Sequence, residues 1–116
     1  MDYSYNGKTY SLSLTNVATM ERLEDAFFKL SDADKGAPKD GRASALYRYY
    51  VDAFRTFFDT VLGAGAFSEM FGSEEDYEKC IEAYNAFCEC IANDRIEREK
   101  RASEILSKYS YRRVKR

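Results

Sequence analysis

The chain has 116 residues, 45% of them apolar and 16% aromatic, with ten tyrosines, eight phenylalanines and no histidine. One domain of that size can remove about two-thirds of its unfolded surface from water. The lack of histidine takes away the side chain most used for general acid–base catalysis and a common zinc ligand. The net charge of −2 conceals an uneven split: residues 1–93 hold nine Lys/Arg against sixteen Asp/Glu, whereas residues 94–116 hold nine against four. An acidic body with a basic tail can self-associate head to tail or hold an acidic partner.

No signal-peptide pattern opens the chain, and no apolar run approaches the roughly 20 residues of a membrane span, so a soluble, cytoplasmic protein without membrane contact is expected. Residues 2–14 predict a β-hairpin. Asn6-Gly7 is a type I′ turn signal, and with those two residues as the loop, Tyr5 faces Lys8 and Tyr3 faces Tyr10. Tyr3, Tyr5, Tyr10, Leu12 and Leu14 then share one face, while Ser4, Thr9, Ser11 and Ser13 share the other. A lone hairpin is marginal in water. The tyrosine face must therefore pack on helices or on a neighbouring molecule, and the open strand edges are docking sites for another strand. On that ground Tyr3, Tyr5 and Tyr10 are candidate interaction residues.

Thr15 or Asn16 caps the next helix, whose apolar face is Met20, Leu23, Phe27 and Leu30 and whose wet side is Glu21, Arg22, Glu24 and Asp25. Residues 31–41 (SDADKGAPKDG) read as a polar connector. Asp32-x-Asp34 is not a calcium loop, because Gly36 comes one place early and the twelfth position is Ala43 rather than Glu. Residues 43–62 predict a helix with a broad aromatic band through Tyr47, Tyr50, Phe54, Phe57 and Phe58, contacted on two sides. Asp52 and Asp59 among these rings repel phosphate, so core packing is the reading here rather than base stacking.

A glycine-punctuated elbow follows, with Gly63 and Gly65 before a short helix over residues 66–71 and Gly72 ending it. Ser73 is the expected N-cap of the last helix, with Glu74, Glu75 and Asp76 at the positive end of its dipole. Tyr77, Ile81, Tyr84, Cys88 and Ile91 recur in 4,3 steps along one face, widened by Phe87 and Ala92. Continued by sevens, the stripe meets Arg95 and Arg98 and recovers apolar character at Ala102, Ile105 and Tyr109. No glycine or proline interrupts residues 73–116. The segment is either one helix of about 35 residues, extending into solvent or pairing with another chain, or a hairpin with a solvated middle. Arg95, Arg98, Ile105, Tyr109, Arg112 and Arg113 are the candidate interaction residues of this part.

Cys80, Cys88 and Cys90 are expected to be free structural thiols. Cys88 and Cys90 point about 200° apart around a helix and cannot share one ion, and no further ligands accompany them. No nucleophile elbow, P-loop or dinucleotide fingerprint is present, and Cys88 has no histidine to activate it. No enzymatic activity, cofactor or metal is expected. The fold class is α+β, mostly α: one domain over residues 1–116, with a hairpin over residues 2–14, a helical core over 15–93, and a charged helical extension with a basic tail over 94–116.

Two stretches resemble small proteins of the tail-assembly-chaperone type from phages and prophages of Gram-positive bacteria. One is YNGKTYSLSLTNVATMERLEDAF, with the hairpin signature and the Leu23-Glu24 pair. The other is FFDTVLGAGAFSEMFGSEEDYEKCIEAYNAF, in which Phe57, Phe58, Asp59, Gly63, Gly65, Phe71 and Gly72 match the elbow. Together they cover about half the chain. The resemblance implies a non-enzymatic, oligomeric protein that binds the tape-measure protein and brings tail-tube subunits to it. The alternative is a phage accessory protein that binds nucleic acid through its basic C-terminal residues.

Overall fold

Asn6 and Gly7 both hold positive φ, 49° and 81°, as a type I′ turn requires. They join β1 (Asp2–Tyr5) to β2 (Lys8–Ser11). The register is the expected one, with Tyr3 opposite Tyr10 and Tyr5 opposite Lys8. The strands stop at Ser11, short of the predicted residue 14; beyond them, Met1 and Leu12 exchange backbone hydrogen bonds of 2.8 and 2.9 Å. The outer face is polar, with the Ser4 and Thr9 hydroxyls 2.8 Å apart and Ser11 donating to Asp2 at 2.6 Å.

The computed structural model describes residues 1–114, with side chains described through Lys108. Four helices follow the hairpin: α1 (Val17–Lys35), α2 (Ala43–Leu62), α3 (Ala66–Phe71) and α4 (Tyr77–Val114). Asn16 caps α1, its side-chain oxygen accepting from the Thr19 N–H at 3.0 Å. α1 runs five residues past the expected stop at Leu30, because α2 holds its last turn. The Tyr49 hydroxyl donates to the Ala33 carbonyl at 2.6 Å, and the Tyr50 hydroxyl to Asp34 Oδ1 at 2.6 Å. α2 has the predicted bounds. At the elbow, Asp59 accepts from the Phe67 N–H at 2.8 Å, so a carboxylate on α2 satisfies an orphan donor of α3.

Gly72 ends α3 at φ 64°, ψ −131°, a region closed to side-chain-bearing residues, and delays the start of α4. Ser73 does not cap α4. Asp76 does, accepting from the Lys79 N–H at 3.1 Å. Of the two readings of residues 73–116, the single uninterrupted helix is the one adopted, 38 residues long and about 57 Å from end to end.

The core is aromatic. Tyr3, Phe54, Phe57, Phe58, Phe67 and Phe87 are buried with Leu23, Val51, Val61 and Met70. On α4 the buried line is Cys80, Ala83 and Phe87, and the predicted stripe from Tyr77 to Ile91 lies half-buried on its flank. The helix thus turns slightly from the face that periodicity alone selects, toward β1.

Tyr3 is 1% exposed. Its ring stacks on Phe58 (centroids 6.4 Å apart) and meets Phe87 edge-on (5.1 Å), and its hydroxyl donates to the Ala83 carbonyl at 2.8 Å. Tyr3→Phe removes the second bond to a carbonyl that still accepts within α4, and is expected to cost about 0.5–1.5 kcal/mol, the net worth of one hydrogen bond. A urea titration measures it; a loss within error would mean that the hydroxyl bond adds nothing to docking the hairpin.

Candidate protein-interaction surface

The hairpin tyrosines pack on this molecule's own helices. Tyr3 belongs to the core and offers no surface, a correction to its expected role. Tyr5 is half-buried against Phe71 (centroids 5.1 Å apart), and the Tyr10 hydroxyl reaches the Ala66 carbonyl at 3.4 Å. All three serve to fasten β1 and β2 to α2, α3 and α4, since a two-stranded sheet needs such a support.

The C-terminal half of α4 is different. Beyond Ile91 the helix leaves the core, and every described residue from Glu99 to Lys108 is exposed. At the exit, Asp94 accepts from Arg98 Nε at 2.7 Å and lies 4.0 Å from the Met1 nitrogen, while Arg95 Nε donates to Glu99 at 3.1 Å. Arg95, Arg98 and Glu99 line an open concavity of about 310 Å³ with Leu14, Met20 and Ile91. Ile105 lies about 21 Å farther along the helix than Ile91 and is 53% exposed.

Two exposed anchors escaped the sequence reading: Leu106, 65% exposed, and Ile96, 61% exposed. The spacing of Ala102 and Leu106, four apart on one face, was the available signal. The side chains of Tyr109, Arg112 and Arg113 lie outside the described residues.

The cysteines are free. Cys80 is buried, and Cys88 and Cys90 are half-buried. Burial pushes the Cys80 thiol up to about 11, away from the thiolate that nucleophilic or ligand chemistry needs. Burial, together with a hydrogen bond to Cys88, pushes the Tyr84 hydroxyl up to about 12. Arg55, with Arg48, holds the Glu75 carboxyl below its usual range through ion pairs of 3.3 and 3.0 Å. Among the described residues, no group of three or more His, Cys, Asp or Glu side chains is placed to hold a metal, and no helix is long and apolar enough to cross a membrane.

The raised thiol and phenol dictate an alkaline response. Unfolded chains lose these protons near 9 for cysteine and 10 for tyrosine, and the folded protein holds them to about 11 and 12. Their contribution is therefore fully present below pH 9 and is lost as pH rises toward 12. Urea midpoints followed against pH should fall across that window, and tyrosinate absorbance should show a late-titrating class that merges with the rest on unfolding. A midpoint that is flat to pH 12 would refute this account.

A family model described as a family of unknown function, DUF6673, matches residues 6–116. No curated protein and no solved structure matches the chain.

Proposed function

The chain belongs to the DUF6673 family, and we propose that it is a non-enzymatic, protein-binding factor of phage morphogenesis, a tail assembly chaperone that acts on the tape-measure protein. One observation carries the protein-binding part. α4 projects some 20 residues beyond the core and keeps a face of Ala102, Ile105 and Leu106 in solvent among basic side chains. An exposed amphipathic helix with aliphatic anchors three and four residues apart suits docking against another helix. A tape-measure protein, long and helical, offers such surfaces along its length. The step from protein binding to tail assembly rests on the resemblance carried by Phe57, Phe58, Asp59, Gly63, Gly65, Phe71 and Gly72.

Co-expression of the tagged chain with a phage tape-measure protein tests the proposal. The two should co-purify through size exclusion at moderate salt, and the tape-measure protein should stay in solution only when the chain is present. Failure to co-purify, with retention on duplex or single-stranded DNA that falls steeply with salt, would replace the proposal with the nucleic-acid reading of the basic C-terminal residues.

A further inference from the structure

Phe28 stands apart from the other aromatic residues. The remaining seven of the eight phenylalanines each pack against at least one further ring. Phe28 meets none among the described residues and is 73% exposed. It lies on the outward face of α1, whose inner face already packs through Leu23 and Ala26. Val17 is 71% exposed on the same outward face, eleven positions earlier and about 16 Å away along the axis.

Between these two anchors the face carries carboxylates. Glu21, Glu24 and Asp25 are exposed and lie within about 60° of the Phe28 direction around the helix. None of the three has an ion-pair partner among the described residues. Asp32, beyond Phe28, is neutralised by Lys35 at 3.7 Å. Arg22 and Lys29 sit about 100–120° away from Phe28, and Lys29 lines the cleft between α1 and α2 instead. Unpaired acids in the first half of a helix suit its dipole, but the dipole gives no reason for Phe28 and Val17 to stay in water.

We propose that this face of α1 is a docking site for a basic helix of another protein, one that sets two large apolar side chains about 16 Å apart with Lys or Arg between them. Charge selects the occupant. The body of the chain, residues 1–93, holds nine basic residues against sixteen acidic ones and draws in a basic partner from a distance. At contact, Glu21, Glu24 and Asp25 meet its cations without breaking an existing pair, and Phe28 and Val17 supply the apolar anchors on either side. The α4 extension of a second copy does not match this pattern. Its residues 94–108 hold five basic and four acidic side chains, and Arg95 and Arg98 are already bonded to Glu99 and Asp94. The α1 face and the α4 extension are separate surfaces, so the inference stands or falls apart from the proposed function.

The test uses the full-length chain and a labelled helical peptide of about 16 residues. Alanine and glutamine make up most of the peptide, with two leucines eleven positions apart and lysines between them on the same face. A control peptide of the same composition carries its lysines on the opposite face. Fluorescence anisotropy should show saturable binding of the first peptide that weakens with salt, and the amide shifts it causes should be confined to α1. Phe28→Ser should weaken binding about thirty-fold. Glu21→Gln/Glu24→Gln/Asp25→Asn should weaken it about ten-fold or more. Circular dichroism and urea midpoints of both variants should stay near wild type. Ile105→Ser/Leu106→Ser should bind the peptide like the wild type. No binding to the wild type overturns the inference. Equal binding of the control peptide also does, because it would reflect only the general pull of an acidic body. Loss of binding in the α4 variant would move the site to the extension, overturning the inference while the proposed function stands. Amide shifts in α1 that appear on raising the protein concentration alone would make a second copy the occupant, and the inference would fall.

Discussion

Phe87→Ala should cost about 3–5 kcal/mol, the range for truncating a fully buried aromatic side chain. Phe87 is 0% exposed. Its ring lies 5.1 Å from Tyr3, 5.8 Å from Phe57, 6.2 Å from Phe58 and 6.5 Å from Phe27, centroid to centroid. The hairpin, α1, α2 and α4 meet on this one side chain. Interlocking rings cannot collapse into the vacated space without losing their edge-to-face geometry, so the cavity term should stay near its full value. For a chain of this size the melting temperature should drop by more than ~10 °C. Phe28→Ala is the matched control, removing the same atoms from an exposed site, and should stay within about 0.5 kcal/mol. Thermal and urea unfolding of both variants decide the matter; equal losses would mean that Phe87 is not the keystone of the core.

Ile105→Ser/Leu106→Ser should have the reverse profile. Both side chains are more than half exposed on a part of α4 that touches no other element, so the unfolding midpoint should move by less than about 0.5 kcal/mol. Binding should suffer heavily. If these two are the anchors of a helix-on-helix contact, their loss should weaken co-purification with the tape-measure protein by about thirty-fold or more, the effect of removing a hot spot. The comparison also guards against misfolding: circular dichroism and the urea midpoint stay at wild-type values while affinity collapses. Retained affinity would show that partners bind elsewhere on the molecule.

Local chemistry made much of the fold legible. Asn6-Gly7 dictates a turn whose twist fits a hairpin, and that turn alone sets Tyr3 opposite Tyr10. The bounds of α2 were equally plain, because its apolar band begins after a polar connector and ends at Gly63. Positions with several local candidates were harder. Ser73 and Asp76 can both cap a helix, and the backbone that Gly72 imposes selected the second. The polar run after Leu30 looked like a connector until the Tyr49 and Tyr50 hydroxyls of α2 arrived to hold it helical.

The candidate site divides in the same way. The 4,3 repeat through Arg95, Arg98 and Ile105 was readable because helical periodicity is a property of the chain alone. Where that stripe stops meeting a core was not, because it depends on how far the hairpin and α1 reach along α4, and they end near Ile91 and Arg98. Phe28 escaped notice because one aromatic residue on a polar face breaks no pattern; its exposure emerged once Leu23 and Ala26 were seen to take the inner face. The sequence by itself determined which residues share a strand or helix face, since period and turn chemistry are set by neighbours within a few positions. Only the tertiary structure decided which of those faces were covered, drawing Tyr3 inside while leaving Ile105 and Phe28 in water, because burial is settled by contacts between segments far apart in the chain.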